Sequence, residues 1–228
     1  LWNAARFALL NLEGYEFDPS RSERLQTEDR WILSRMTSAC EDVHAQLSTY
    51  NPAAAIGIAR EFFWGDLCDW YLEAIKPRLK EGGEDAGTAQ QVLATCLDQV
   101  LRLLHPFVPF ITEELWGSLR EIAPQRGIDS PIEDSELLCL AKWPNPDSDW
   151  RDTHLENSFH LSQELIRTLR DIRARHNVPP RQPLEVRIKT SGETAQSYLD
   201  LENLILHLGA LSSLSVGPDQ ERTIDSAA

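Results

Sequence analysis

"FFWGDLCDWYLEAIKP", residues 62–77, places Trp64, Trp70 and Tyr71 among Asp66, Asp69 and Glu73 within a few helical turns. At about 100° per residue, the three carboxylates fall in one narrow arc of a helix. Phe62, Phe63, Trp64, Leu67, Trp70, Tyr71, Leu72 and Ile75 wrap around more than half of the same helix. An apolar face that wide belongs to a central helix that touches several neighbours. Most of these side chains are therefore expected in a core, with one or two at a rim where a nucleobase can stack. The carboxylates read as a solvated or ion-paired face, with Glu73 and Lys76 as an i,i+3 pair. An acid–base pair would need two carboxylates in unlike environments across a cleft, and a metal site would need histidines in reach.

Working outward, Asn51-Pro52 supplies an N-cap followed by proline at the first helical position, and Gly82-Gly83 stops the helix, which Pro77 should kink or end. Upstream, Thr27 can cap a helix with Glu28 and Asp29 in its first turn and a stripe of Leu33, Met36, Cys40, Val43 and Leu47. Before that, Trp2, Ala5, Leu9 and Leu12 recur at helical spacing until Gly14. Downstream, Thr88 with Gln91 forms a capping box ahead of Val92, Cys96, Val100 and Leu103, until His105-Pro106 interrupts the pattern. Pro109 starts a further helix with Glu113 and Glu114 near its positive end. The pattern predicts a bundle of about five helices with short connections.

Pro124, Gly127, Pro131, Pro144 and Pro146 then punctuate a stretch in which only "LLCLAKW" suits an ordered, short extended segment. A boundary near residue 150 separates a helical bundle with its trailing loop, 1–150, from a small α/β subdomain, 151–228. The latter opens with a helix carrying Leu161, Leu165, Leu169 and Ile172, then a strand in which Leu184, Val186 and Ile188 alternate with Glu185, Arg187 and Lys189. Another helix, with Tyr198, Leu201, Ile205 and Leu208 in register, leads to "LSSLSV" as a second short strand. Two strands make a poor sheet, so further partners are expected beyond Ala228. The fold class is mainly α: a helical bundle followed by a small, incomplete α/β subdomain.

The 228 residues hold 42% hydrophobic side chains and a formal charge of −14. No apolar run approaches the roughly 18 residues of a membrane span, and the first residues lack a signal-peptide pattern, so the chain reads as soluble and not secreted. Its acidity opposes indiscriminate nucleic-acid binding, and any RNA contact must be local. Cys40, Cys68, Cys96 and Cys139 form no CxxC pair and read as reduced thiols of a cytoplasmic protein. Glu41-x-x-His44 has the spacing of a di-iron bundle ligand pair, but the second copy such sites need is absent. No phosphate loop, GxGxxG or nucleophile elbow occurs. Arg167, Arg170, Arg173, Arg175, Arg181, Arg187 and Lys189 make 167–189 net positive. They suit either the polar side of an amphipathic helix or phosphate contact.

Taken together, "LWNAARFALLN", "DRWILSRM", "FFWGDLCDWYLEAIKP" and "LLHPFVPFITEELW" resemble, in order, the C-terminal half of the bacterial valyl-tRNA synthetase family. Trp143-Pro144 matches as well, and "IRTLRDIRARHNVPP" is more loosely similar to the α/β segment that follows there. The resemblance implies the anticodon-binding helical bundle of a class I aminoacyl-tRNA synthetase. It also implies Asn3, Arg6, Phe7 and Leu72 as anticodon-binding residues, with Phe7 and Leu72 as a platform for bases. Asn3 suits a base edge and Arg6 a phosphate. Arg167, Arg170 and Arg173 are the candidate phosphate contacts. The family's HIGH and KMSKS signatures are missing, as is its terminal coiled coil, so the chain is expected to be a fragment without catalytic residues, metal or cofactor. ATP with magnesium would belong to the parent enzyme's catalytic domain. The implied partners are valine tRNA and the catalytic, editing and coiled-coil parts of the same protein, in the cytoplasm and away from any membrane. The same bundle from an isoleucyl or leucyl enzyme, or a helical protein-interaction module, remains an alternative reading.

Overall fold

Phe62–Tyr71 winds as a π-helix that joins α3 (Pro52–Glu61) to α4 (Leu72–Glu81). Pro77 does not end the rod, which runs on to Gly82 at φ 77°. The proline costs the carbonyl of Glu73 its helical donor, four residues back. Phe62, Phe63, Leu67, Trp70, Tyr71, Leu72 and Ile75 are buried, and Trp64 is the rim residue at 41% exposure. The carboxylates have structural partners: Asp66 accepts from Arg35 Nε at 2.9 Å and Glu73 from Lys76 Nζ at 2.5 Å, while Asp69 is exposed.

The computed structural model describes residues 1–180 and 182–221. The chain divides into two compact units, Leu1–Asp152 and Thr153–Ala228. The first also holds α1 (Trp2–Leu10), α2 (Thr27–Ser48), α5 (Gly83–Leu104) and α6 (Pro109–Ile122). Helix α2 is capped by Gln26 rather than Thr27: Gln26 N–H donates to Asp29 Oδ2 at 2.9 Å in a reciprocal capping box. Asp29, fully buried, also receives Tyr71 Oη at 2.7 Å and two Arg78 nitrogens at 2.9 and 2.8 Å. One carboxylate thus ties the start of α2 to the end of the aromatic stretch. Burial, followed by the charge of Asp29, raises the Tyr71 hydroxyl pKa well above its ordinary value.

The most enclosed helix is α5, not the aromatic stretch. Leu93, Leu97, Val100, Leu101 and Leu103 are fully buried, each a contribution of about 1.5–3 kcal/mol. Also buried is a stripe of polar residues, Thr88, Gln91, Thr95, Asp98, Gln99 and Arg102, that pattern alone assigns to solvent. The proline-rich segment after α6 covers it: Gln91 donates to Ile128 O at 3.0 Å, and Arg102 to Glu133 O and Lys142 O at 2.9 Å each. Thr88 and Gln91 form no capping box, because α5 already starts at Gly83; Thr88 Oγ1 bonds back to Glu84 O at 3.2 Å. Within "LLCLAKW", Leu138–Leu140 forms a 3₁₀ turn instead of an extended segment, with Leu138 N–H donating to Glu113 Oε1 at 2.7 Å. A side-chain acceptor on α6 replaces a strand partner.

In the second unit, α7 (Thr153–Arg175) precedes β1 (Leu184–Lys189), α8 (Gly192–Asp200), α9 (Glu202–Gly209) and β2 (Leu211–Gly217). The strands pair in parallel, with Val186 opposite Leu214 and a register irregularity after Leu184, as a β-helix-β crossover requires. The single helix expected across Tyr198–Leu208 breaks into α8 and α9 at Leu201, which is 3% exposed and has ψ 17°. The buried face of α7 is Phe159, Ile166 and Leu169 with Ser158, Ser162, Gln163 and Arg173. It is rotated from the expected leucine stripe, whose Leu161, Leu165 and Ile172 are half-buried.

Cys40 and Cys96 are buried and Cys139 is exposed. Burial, then the charge of Glu41, pushes the Cys40 thiol up to about 12, and burial, then Asp69, does the same for half-buried Cys68. Cys139 is expected to react first with a thiol-specific chromogenic disulfide, and Cys40 and Cys96 only on unfolding. Mass-spectrometric mapping of the labelled thiols checks this; native labelling of Cys96 at the rate of Cys139 would contradict it. Among the described residues no helix is long and apolar enough to cross a membrane.

Candidate nucleic-acid interface

Helix α1 separates its residues cleanly. Ala5, Ala8, Leu9 and Leu12 bury against the bundle, where α1 packs on α5 and α6. Asn3, Arg6, Phe7 and Leu10, spaced by three and four residues, face outward. Phe7 is 40% exposed and Leu10 64%. The end of α1 is fixed by two side-chain amides: Asn11 Nδ2 donates to Phe7 O at 2.8 Å, and Gln90 Nε2 of α5 to Asn11 O at 2.8 Å. An aromatic ring is thus held at the surface on a rigid element, with a hydrogen-bonding side chain and a cation beside it.

Leu72 does not join this exposed set. It is 4% exposed, because its position on α4 faces inward with Ile75 and not toward solvent. The α4 residue that meets Phe7 is one turn later: Lys76 Nζ lies 5.6 Å from the Phe7 ring centroid, a cation–π distance. The sequence offered a signal for Lys76, its pairing with Glu73, but the surface-pair reading gave it no further role.

Arg167 and Arg170 are exposed on α7, Arg167 within 3.7 Å of Glu164. Arg173, expected with them as a phosphate contact, is 5% exposed and donates to Pro179 O, Gln182 O, Gly209 O and Ala210 O at 2.7–3.2 Å. Its donors are spent on closing a loop and capping α9, so it is withdrawn as an RNA contact. Arg175, Arg187 and Lys189 are exposed, and Arg181 lies outside the described residues.

Among the described residues no group of three or more His, Cys, Asp or Glu side chains is placed to hold a metal. Glu41, from the lone Glu-x-x-His, pairs with Arg151 at 2.6 Å.

Comparison with known proteins identifies the family of the chain. The model for the anticodon-binding domain of tRNA ligase matches residues 29–188. The chain is 41% identical over 221 residues, 95% of its length, to a valine–tRNA ligase of Thermosynechococcus vestitus. It is 39% identical over 216 residues, 94% of its length, to one of Petrotoga mobilis, and 41% over 204 residues, 90% of its length, to one of Thermotoga maritima. The matches cover 23%, 24% and 22% of those relatives, so the chain spans about a quarter of their length. Because the family match extends from the first turn of α2 to the end of β1, the chain belongs to the anticodon-binding domain family of tRNA ligases.

Proposed function

We propose that this domain binds the anticodon stem-loop of a valine tRNA, as part of a cytoplasmic ligase that joins valine to tRNA using ATP. The observation that carries the reading is the exposed Phe7 on a helix pinned at its end, with Asn3 and Arg6 on the same face. A splayed anticodon base stacks on the ring, Asn3 reads a base edge and Arg6 holds a phosphate. Leu72, buried in the core, is a packing residue rather than a surface clamp. Arg167 and Arg170 are proposed to add sequence-independent phosphate contacts. Amino-acid activation and any editing belong to the parts of the protein outside this chain, and ATP with magnesium acts there. The similarity to valine–tRNA ligases, each covered over about a quarter of its length, supports valine over isoleucine or leucine as the cognate amino acid.

Phe7→Ala is expected to weaken binding to valine tRNA by roughly 1–3 kcal/mol, the range for losing a stacking platform. Because the ring is partly exposed, helix content and melting temperature should stay close to the parent's. Unchanged affinity in a folded Phe7→Ala variant would remove the platform. A protein-interaction role makes a different forecast, since an apolar interface lacks the steep salt dependence of phosphate contacts.

A further inference from the structure

We infer that Lys76 is an RNA-binding residue of the Phe7 platform, stored over the ring in the free domain and transferred to the phosphate beside the stacked base on binding. The inference rests on the proposed stacking role of Phe7. Lys76 Nζ sits 5.6 Å from the Phe7 centroid while bonded to Glu73 Oε1 at 2.5 Å, and the two side chains are 46% and 47% exposed. Both contacts are therefore made in water and are weak enough to exchange. A base laid on this face of Phe7 takes the place of the ammonium and brings its own backbone phosphate to the ring's edge. The flexible four-carbon stem of lysine then lets the same charge follow the phosphate without moving α4. In a chain of net charge −14, such a cation has an added use: it offsets the repulsion between RNA and Glu73 at the platform. Glu73 acts as the holding group, keeping Lys76 over the ring until phosphate competes for it.

The test is a titration of the intact ligase with valine tRNA from about 50 to about 200 mM salt, following the slope of log affinity against log salt. Lys76→Gln removes the charge and keeps a flexible polar side chain. It should lower affinity roughly fivefold at the low-salt end and flatten the slope by about 0.7–1, one phosphate contact. Glu73→Gln removes the competing carboxylate and should tighten binding about twofold. An unchanged slope in Lys76→Gln would overturn the assignment, as would a Glu73→Gln variant that weakens binding as much as Lys76→Gln, since the pair would then be a structural strut. Phe7→Ala in the same titration separates the two ideas. Normal affinity there refutes the platform, whereas an unaltered slope in Lys76→Gln with a damaging Phe7→Ala refutes only the lysine.

Discussion

Asp98→Ala is expected to destabilise the helical bundle by about 3–5 kcal/mol, the cost of stranding buried charges when one partner is removed. Asp98 is fully buried and accepts from Arg102 Nε at 2.7 Å, Arg126 Nε at 2.8 Å and Gln99 Nε2 at 3.0 Å. Arg102 and Arg126 are themselves 5% and 2% exposed, and their guanidinium carbons lie 4.9 and 4.7 Å from the Trp116 ring centroid. Without Asp98, Arg102 keeps two loop carbonyls, while Arg126 keeps Ala123 O and Asp134. Neither set replaces a buried carboxylate between the two cations. The network also fastens the proline-rich segment over α5, so its loss should expose that segment to protease before the rest of the bundle unfolds. Urea denaturation measures the effect, with Glu133→Ala as the control. Glu133 pairs with Lys142 at 2.5 Å across side chains 66% and 74% exposed, and should change stability by less than about 1 kcal/mol. Equal small effects from both variants would show that Asp98 is not the keystone of this cover.

Arg173→Ala should cost the second unit roughly 2–4 kcal/mol, because it removes the donors to four carbonyl oxygens and leaves part of that set without water. The oxygens of Gly209 and Ala210 close the C-terminus of α9, where Ala210 has φ 51° and ψ 51°. Those of Pro179 and Gln182 hold the turn between α7 and β1. Limited proteolysis at that turn and the melting of the second unit report the loss. Arg170→Ala, on an exposed position of the same helix, should leave stability within about 0.5 kcal/mol. The opposite ranking would restore Arg173 as a surface residue.

The contrast between these arginines marks what the sequence reveals and what it hides. Periodicity located the helices of the bundle, the strand at 184–189 and the second strand near its end, because apolar spacing reports directly on which side of an element is covered. It failed for residues 88–102, where polar side chains at helical spacing look solvated until a proline-rich loop bonds to them from above. Nothing local in "DQVLRLL" tells that Asp98 and Arg102 will be buried as a pair, since their second partner, Arg126, arrives from another segment. The same failure explains Arg173, which matches Arg167 and Arg170 in spacing and density but turns under the chain to serve backbone carbonyls. It explains α8 and α9 as well, where one apolar register runs through two helices, and Leu201 marks the break only in three dimensions.

The candidate site was legible at one level only. Family resemblance drew attention to α1 and to Leu72, and an outward Phe7 with Asn3 and Arg6 is what base stacking needs. Helical phase alone does not separate Leu72 from Lys76, because residues four apart lie only about 40° from each other around α4. The side chain over Phe7 is a cation, not an apolar clamp.

The most direct test of anticodon recognition is an equilibrium titration of this chain with valine tRNA and with the same tRNA carrying a substituted anticodon, at low and moderate salt. Tighter binding to the unaltered tRNA, reduced by the anticodon change and by Phe7→Ala to similar extents, is the predicted result. Equal affinity for both tRNAs by the folded chain, with Phe7→Ala indistinguishable from the parent, would contradict it.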